Sequence, residues 1–216
     1  MAAETYHHLS DLPDVIPIFP LAGALLLPRW SLPLNIFEPR YLNMVDDAMA
    51  GHRLIGMIQP TAQGGNPPDI ADVGCVGRIT AYSETDDGRY LISLTGICRF
   101  AVGRELDVMT PYRQVRAQWT PYADDLSSAN PSELPNRERL KASLQRYVAN
   151  SRMEVDWQAV EAAALETLIN ALCAGCPFSD IERQALLEAP TVRDRALALM
   201  ALLDMQVPGD DTSTLQ

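Results

Sequence analysis

Prolines punctuate the most constraining stretch of this chain, a series of short apolar segments between Ile16 and Tyr41. Two of these segments, 15–19 and 32–37, have the length and composition of strands. Proline cannot donate a hydrogen bond to a β-ladder, so we expect both strands at sheet edges or at bulges. A many-stranded central sheet is therefore not expected here.

A helix is predicted directly after Phe37. Pro39 suits the first helical turn, and Gly51 suits the position just past the last one. Between them, apolar residues recur at spacings of three, four and seven, which is typical of a helix with one buried face: Tyr41, Met44, Val45 and Ala48.

The next part of the chain has the pattern of an antiparallel sheet. Asp-Gly at positions 87 and 88 predicts a tight hairpin between two alternating runs. Recurrent glycines suggest bends that curl the sheet into a small, partly closed β-barrel. The loop 61–72 has no apolar period, and we expect it to be mobile. Four strand-like segments are expected: 53–59, 73–85, 89–102 and 112–119.

A polar stretch at 121–135 is interpreted as a linker, because helical patterns dominate after it. Ser179 with Glu182, and Thr191 with Asp194, match the capping box that opens helices. Four helices are expected. The predicted organisation is a β-rich domain over 1–122, a helical bundle over 132–207 and an acidic flexible tail over 208–216.

The net charge of the chain limits the classes of partner that it is expected to bind. The chain has 17 basic and 28 acidic residues, a formal net charge of −11. That balance disfavours attraction to nucleic acid or anionic lipid, so neither is an expected partner. Because no leader and no apolar run of about 20 residues is present, we expect a cytoplasmic protein.

Residues suited to catalysis are scarce. The chain contains three histidines and a single lysine, Lys141. Cys173 and Cys176 have CxxC spacing, but zinc would need a second pair or nearby histidines, so buried thiols are the favoured interpretation. We expect no catalytic residues, no metal and no cofactor.

Several motifs in order resemble the N-terminal, substrate-binding domain family of Lon proteases: IPIFPL, LPLNIFEPRY, VGCVGRI, DGRYLISLTGICRF and ERQALLEAPTVRDRA. The resemblance covers about residues 14–205 and is that of a free-standing bacterial member. It implies an α+β fold, in which a PUA-like β pseudobarrel with one helix precedes a C-terminal helical bundle. It also implies recognition of protein substrates. No GxxxxGK[ST] loop occurs in the chain, so we do not expect an enzyme.

The resemblance implies unfolded or extended polypeptides as partners, together with a protease or a chaperone. Leu25 and Leu27 are expected in the core. Trp30 is less easily buried, and an exposed tryptophan beside an arginine is typical of protein contacts. We therefore predict a peptide-binding surface formed by Arg29, Trp30 and Phe37.

Two further expectations accompany this site. Arg40 and Arg99 belong to the matching motifs, and we expect them to pair with acidic residues such as Glu38 or to cap carbonyls. Edge strands could also accept an added strand from a client. RNA binding is the alternative function, since PUA-like barrels can bind RNA, but the charge of −11 and the lack of a basic aromatic patch disfavour it.

Overall fold

The computed structural model of the protein describes residues 6–61, 68–151 and 154–205. The predicted acidic tail over 208–216, and residues 62–67 of the predicted mobile loop, lie outside the described residues. The chain divides into two compact units. One consists of Met1–Ser128 with Cys176–Glu188, and the other of Ala129–Gly175 with Ala189–Gln216.

The first unit is built on a six-stranded sheet with the order β2-β5-β4-β3-β1-β6. β5 also pairs with β6, so five of the strands form a hydrogen-bonded ring and β2 lies outside it at an edge. All pairings are antiparallel except that of β1 with β3. The strands are β1 (Val15–Pro20), β2 (Ser31–Ile36), β3 (Leu54–Ile58), β4 (Val73–Glu84), β5 (Tyr90–Glu105) and β6 (Gln114–Gln118).

The predicted edge position is confirmed for β2 and wrong for β1, and the expectation against a many-stranded sheet is also wrong. β1 lies between β3 and β6. It pairs with β6 through Val15–Pro17 and with β3 through Ile18–Pro20. Each of its two prolines therefore occupies the last position of a short ladder, where a missing N–H removes at most one bond.

Helix α1 (Pro39–Ala50) confirms the predicted helix after Phe37. The N–H of Gly51 donates to the carbonyls of Asp47 and Ala48 and ends the helix. The four residues of the predicted apolar stripe are all buried. Leu25 and Leu27 are buried as well, as predicted.

Within its described residues, the second unit contains four α-helices: α2 (Arg137–Asn150), α3 (Trp157–Ala162), α4 (Leu165–Gly175) and α6 (Val192–Met205). Four helices were expected after the predicted linker, but the described ranges contain five there, because Ala163 has extended backbone angles and separates α3 from α4. The guanidinium of Arg137 donates to the carbonyls of Val160 and Ala163, which satisfies acceptors at this break. Within this unit α6 packs against α2 and α4.

Helix α5 (Asp180–Glu188) belongs to the first unit, although the sequence boundary grouped it with the other C-terminal helices. The capping box of Ser179 and Glu182 is confirmed, since each residue's backbone N–H donates to the side chain of the other. Thr191 and Asp194 also bond as predicted. The predicted linker differs from the structure: Thr120–Leu126 forms 3-10 turns, and Asp125 is buried.

No helix in the described ranges is long and apolar enough to span a bilayer.

Candidate functional site

The residues of the predicted peptide surface flank strand β2. Arg29 and Trp30 directly precede it, and Phe37 directly follows it. Arg29 is exposed and has a left-handed backbone (φ 63°), and its Nη1 donates to the carbonyl of Asp125 at 2.6 Å. Trp30 is half-buried, whereas the side chain of Phe37 is 63% exposed.

The structure does not bring Trp30 and Phe37 together. Seven residue steps along an extended strand separate their backbones by about 23 Å. β2 pairs only with β5, so its other edge is unpaired within the described chain. Pro33 lies at the middle of this strand and cannot donate to an added strand, which limits pairing with a client.

A second candidate site is an apolar groove beside α5, which we call the α5 groove. Its volume is about 640 Å³, within the range of ligand-binding clefts. One wall is α5, and the other consists of residues shortly after β1, directly after β3 and shortly before β4. The lining residues are Ala22, Gln59, Pro60, Thr61, Ala71, Asp180, Ile181, Gln184, Ala185 and Glu188.

Ile181 is the most prominent apolar side chain of this groove. It is 84% exposed, although it stands in the first turn of an ordered helix. Ala185 follows four residues later, on the same face of α5. An exposed isoleucine alone is ordinary, but one that lines a cleft together with Pro60 and three alanines indicates a contact surface.

Both walls of the α5 groove carry side-chain amide atoms that have no hydrogen-bond partner within the described part of the chain. Gln59 is 4% exposed, and neither its Nε2 nor its Oε1 has a hydrogen-bond partner among the described residues. Gln184 on α5 has an unpaired Oε1, while its Nε2 donates to the carbonyl of Val73 and to Glu188. Buried amides are nearly always paired in folded proteins, so these two require an explanation.

A buried ion pair fixes α5 on the sheet. Arg99 on β5 donates from Nε and Nη2 to the two carboxylate oxygens of Asp125, both at 2.8 Å. Its Nη1 donates to the carbonyl of Leu187 in α5 at 3.0 Å. Burial opposes the charge of Arg99, but the bonds to Asp125 outweigh it and raise the pKa of the guanidinium.

Arg99 thus pairs with an acid and caps a carbonyl, as predicted, and Arg40 pairs with Glu38 at 2.8 Å. Two other bonds hold the α5 wall: Gly23 donates its N–H to Asp180, and Gln184 donates to Val73. The groove is therefore bounded by anchored elements.

Reactive groups are not assembled in the described ranges. Among those residues, no group of three or more histidine, cysteine, aspartate or glutamate side chains could hold a metal. The four cysteines are buried, and none of them forms a disulfide in the part of the chain that the structure describes. Burial raises the pKa of Cys98 to about 12 and that of Cys176 to about 11, so both thiols stay protonated at neutral pH.

Sequence reasoning missed the α5 groove. Ile181 carried a weak signal, since it is an apolar residue directly inside a capping box and faces away from the buried Leu186 and Leu187. Gln59 carried no signal, because a glutamine at the end of an apolar strand looks like an ordinary surface residue. Only the tertiary structure brings these two residues into one cleft.

The six-stranded sheet and the helices resemble solved structures of Lon N-terminal domains. The chain is similar to the crystal structure of a Lon N-terminal domain protein from Xanthomonas campestris, with a TM-score of 0.60 and 24% identity over 87% of this chain and 97% of that one. It is also similar to the N-terminal domain of the Mycobacterium avium complex Lon protease. That match has a TM-score of 0.62 and 16% identity, over 88% of this chain and 97% of that one.

Sequence comparison agrees with the structural likeness. Residues 15–205 match the model of the ATP-dependent protease La (LON) substrate-binding domain, and the chain belongs to that family. It is 24% identical to a Lon protease of Flavobacterium johnsoniae over 92% of this chain, and 27% identical to Lon protease 2 of Myxococcus xanthus over 90%. The chain spans 25% and 24% of the lengths of these two relatives.

Proposed function

We propose that this chain is a non-catalytic module that binds unfolded or extended polypeptide segments. Membership in a substrate-binding domain family supports this class of function. The observation that carries the proposal is the α5 groove, an apolar cleft whose walls bear amide atoms that no described residue pairs with. Apolar lining with a few polar groups is the usual composition of a binding cleft.

The groove suits a segment without defined tertiary structure. Ile181 and the small residues Ala22 and Ala185 offer apolar contact area without a deep pocket for one particular side chain. Burial of apolar surface is non-directional, so such a surface tolerates many sequences. Sequence tolerance is what a receptor of unfolded segments requires.

Arg29, Trp30 and Phe37 form a second proposed contact surface along β2. Because Trp30 and Phe37 lie at opposite ends of the strand, only a segment of about seven extended residues reaches both. Pro33 disfavours main-chain pairing at this edge, so we propose side-chain contacts to Trp30 and Phe37 instead.

The proposed module acts without ATP hydrolysis or peptide-bond cleavage of its own. The PUA-like pseudobarrel and the helical bundle remain our interpretation of the two units, and the cytoplasm remains the expected location. Delivery of bound segments to a protease or a chaperone is the proposed biological role.

The experiment that tests the proposal compares binding to a chemically denatured, cysteine-alkylated model protein and to its native form. The variant Ile181→Asp places a charge in the α5 groove. An aspartate in the first turn of a helix is electrostatically favourable, so the fold should be retained. The matched control is Met109→Asp, which changes a fully exposed apolar residue that does not line the groove.

Wild type and Met109→Asp should bind the denatured protein and not the native one, and Ile181→Asp should lose at least about tenfold in affinity, equivalent to about 1.4 kcal/mol. Equal affinities of the two aspartate variants would exclude the α5 groove as the binding surface. Equal binding of native and denatured forms would exclude the proposed class of ligand.

A further inference from the structure

The amides of Gln59 and Gln184 give the α5 groove a polar character that apolar contact does not require. Gln59 presents an unpaired donor and an unpaired acceptor, and Gln184 presents an unpaired acceptor. All three atoms are buried. Leucine or methionine at position 59 would fill a similar volume without leaving polar atoms unpaired.

We propose that the side-chain amide of Gln59 forms hydrogen bonds with the main chain of an extended segment bound in the α5 groove. Gln184 supplies a second hydrogen-bond acceptor. In an extended chain, the N–H and the C=O of one residue point to the same side. A glutamine amide complements that pair, because Nε2 donates to the carbonyl while Oε1 accepts from the N–H. This inference rests on the proposed function and names the feature of the ligand that is recognised.

Both polar atoms of the Gln59 amide are buried, so the proposed contact requires the amide to turn toward the groove when a segment binds. The terminal torsion of Gln59 joins an sp³ to an sp² carbon and has broad minima, so the amide plane can rotate toward a ligand. Gln184 is more constrained, since its Nε2 is held by the carbonyl of Val73 and by Glu188. We therefore assign two hydrogen bonds with the bound segment to Gln59, one donated and one accepted, and a single accepted hydrogen bond to Gln184.

The charged residues that line the groove further define which extended segments should bind. The charged residues among those that line the groove are Asp180 and Glu188, one near each end of α5, and no lysine or arginine is among them. Acidic side chains on the ligand would be repelled by these carboxylates. The expected ligand is an extended, apolar segment with neutral or basic flanks, whose main-chain amides are unmodified.

The test uses the full chain and a dye-labelled peptide of about eight alanine and valine residues, with a lysine at each end. Peptides that are N-methylated at one position at a time lose one main-chain donor each. Wild type should show a loss of about tenfold at one or two positions and little change elsewhere, as expected for removal of a buried hydrogen bond. Glutamate in place of the two lysines should weaken binding.

Two variants complete the design. Gln59→Leu should raise the midpoint of urea unfolding, because it removes unpaired buried atoms, and it should abolish the position dependence of methylation. The control Gln118→Leu changes an exposed glutamine on β6 and should behave as wild type. If Gln59→Leu does not fold, the methylation pattern of wild type decides the question alone.

The proposed hydrogen bonds of Gln59 to the ligand main chain would be overturned if methylation at every position lowered the affinity of wild type equally. The same positional pattern in wild type and in Gln59→Leu would also overturn them. The proposed function would survive that result. Failure of the unmethylated peptide to bind in an Ile181-dependent manner would instead exclude the α5 groove as the binding surface, and this inference with it.

Discussion

Arg99 and Asp125 form a bidentate ion pair inside the first unit, with side chains that are only 4% and 8% exposed. The backbone N–H of Arg99 also donates to Asp125, at 2.9 Å, and the guanidinium lies 4.7 Å from the ring centre of Tyr122. Through Leu187, the same guanidinium holds the last turn of α5. One arginine thus joins β5, the 3-10 turns and the wall of the α5 groove.

Replacement of Asp125 by asparagine should destabilise the protein by about 3–5 kcal/mol, because it leaves a buried guanidinium without a counter-charge. Urea unfolding followed by circular dichroism measures the loss. The matched control is Asp14→Asn, which breaks the exposed pair with Arg116 and should cost less than about 1 kcal/mol. Similar losses in both variants would show that the buried pair has no special role.

Gly96→Ala should destabilise the protein by about 3 kcal/mol through overpacking. A Cβ at Gly96 would lie 2.0 Å from the carbonyl oxygen of Leu27, where the backbone before β2 crosses β5. Gly96 also exchanges backbone hydrogen bonds with Arg29 and Trp30 across this crossing. In the control Gly175→Ala, the added Cβ lies within 4 Å of nothing beyond its chain neighbours and the backbone of its own helix, so the stability should change by no more than about 0.5 kcal/mol. A tolerated Gly96→Ala in thermal or urea unfolding would contradict this account of the crossing.

Local signals were sufficient for much of the fold. α1 was predictable because its proline, its apolar spacing and its terminal glycine all lie within thirteen residues of one another. The position of β1 was not predictable from such signals. The rule that proline marks an edge strand assumes that a strand pairs with the same neighbour along its whole length. β1 instead pairs with β6 through one half and with β3 through the other.

The site was harder to predict than the fold, since its partners are far apart in sequence. Asp125 lies 26 residues after Arg99, in a polar stretch that looked like a linker. Gln184 donates to Val73 across 111 residues, and no periodic pattern reports such a contact. The packing of α5 on the sheet creates the groove, so the groove could not be read from the sequence of α5 alone.

Buried thiols should make the protein resistant to alkylation at pH 8 and sensitive to higher pH. The pKa of Cys98 is raised from 9.0 to about 12, first by burial and then by the charge of Asp125. A group whose pKa is higher in the folded state contributes stability fully below its unfolded pKa, and that stability is lost as pH rises from about 9 toward about 12. Thiol titration should therefore be slow in the native protein and immediate in urea.

The same reasoning predicts the pH dependence of the melting temperature. The melting temperature should fall between pH 9 and pH 11, and this fall should be smaller in Cys98→Ser. Serine does not titrate in this range, and its hydroxyl can still donate to the carbonyl of Tyr122. Rapid alkylation of the native protein at pH 8, or identical pH profiles of the two proteins, would contradict a buried, protonated Cys98.

Trp30→Ala and Phe37→Ala should each weaken the binding of a long denatured client, and their effects should add. The two residues lie at opposite ends of β2, at a separation of about 23 Å, beyond the distance of about 10 Å within which mutational effects usually couple. The double variant should therefore equal the sum of the single variants within about 0.5 kcal/mol. A peptide of about four residues cannot span both positions, so it should respond to one substitution only. Fluorescence anisotropy with peptides of both lengths measures this difference. Unchanged affinity in both single variants would remove Arg29, Trp30 and Phe37 as a contact surface, while leaving the α5 groove as the proposed site.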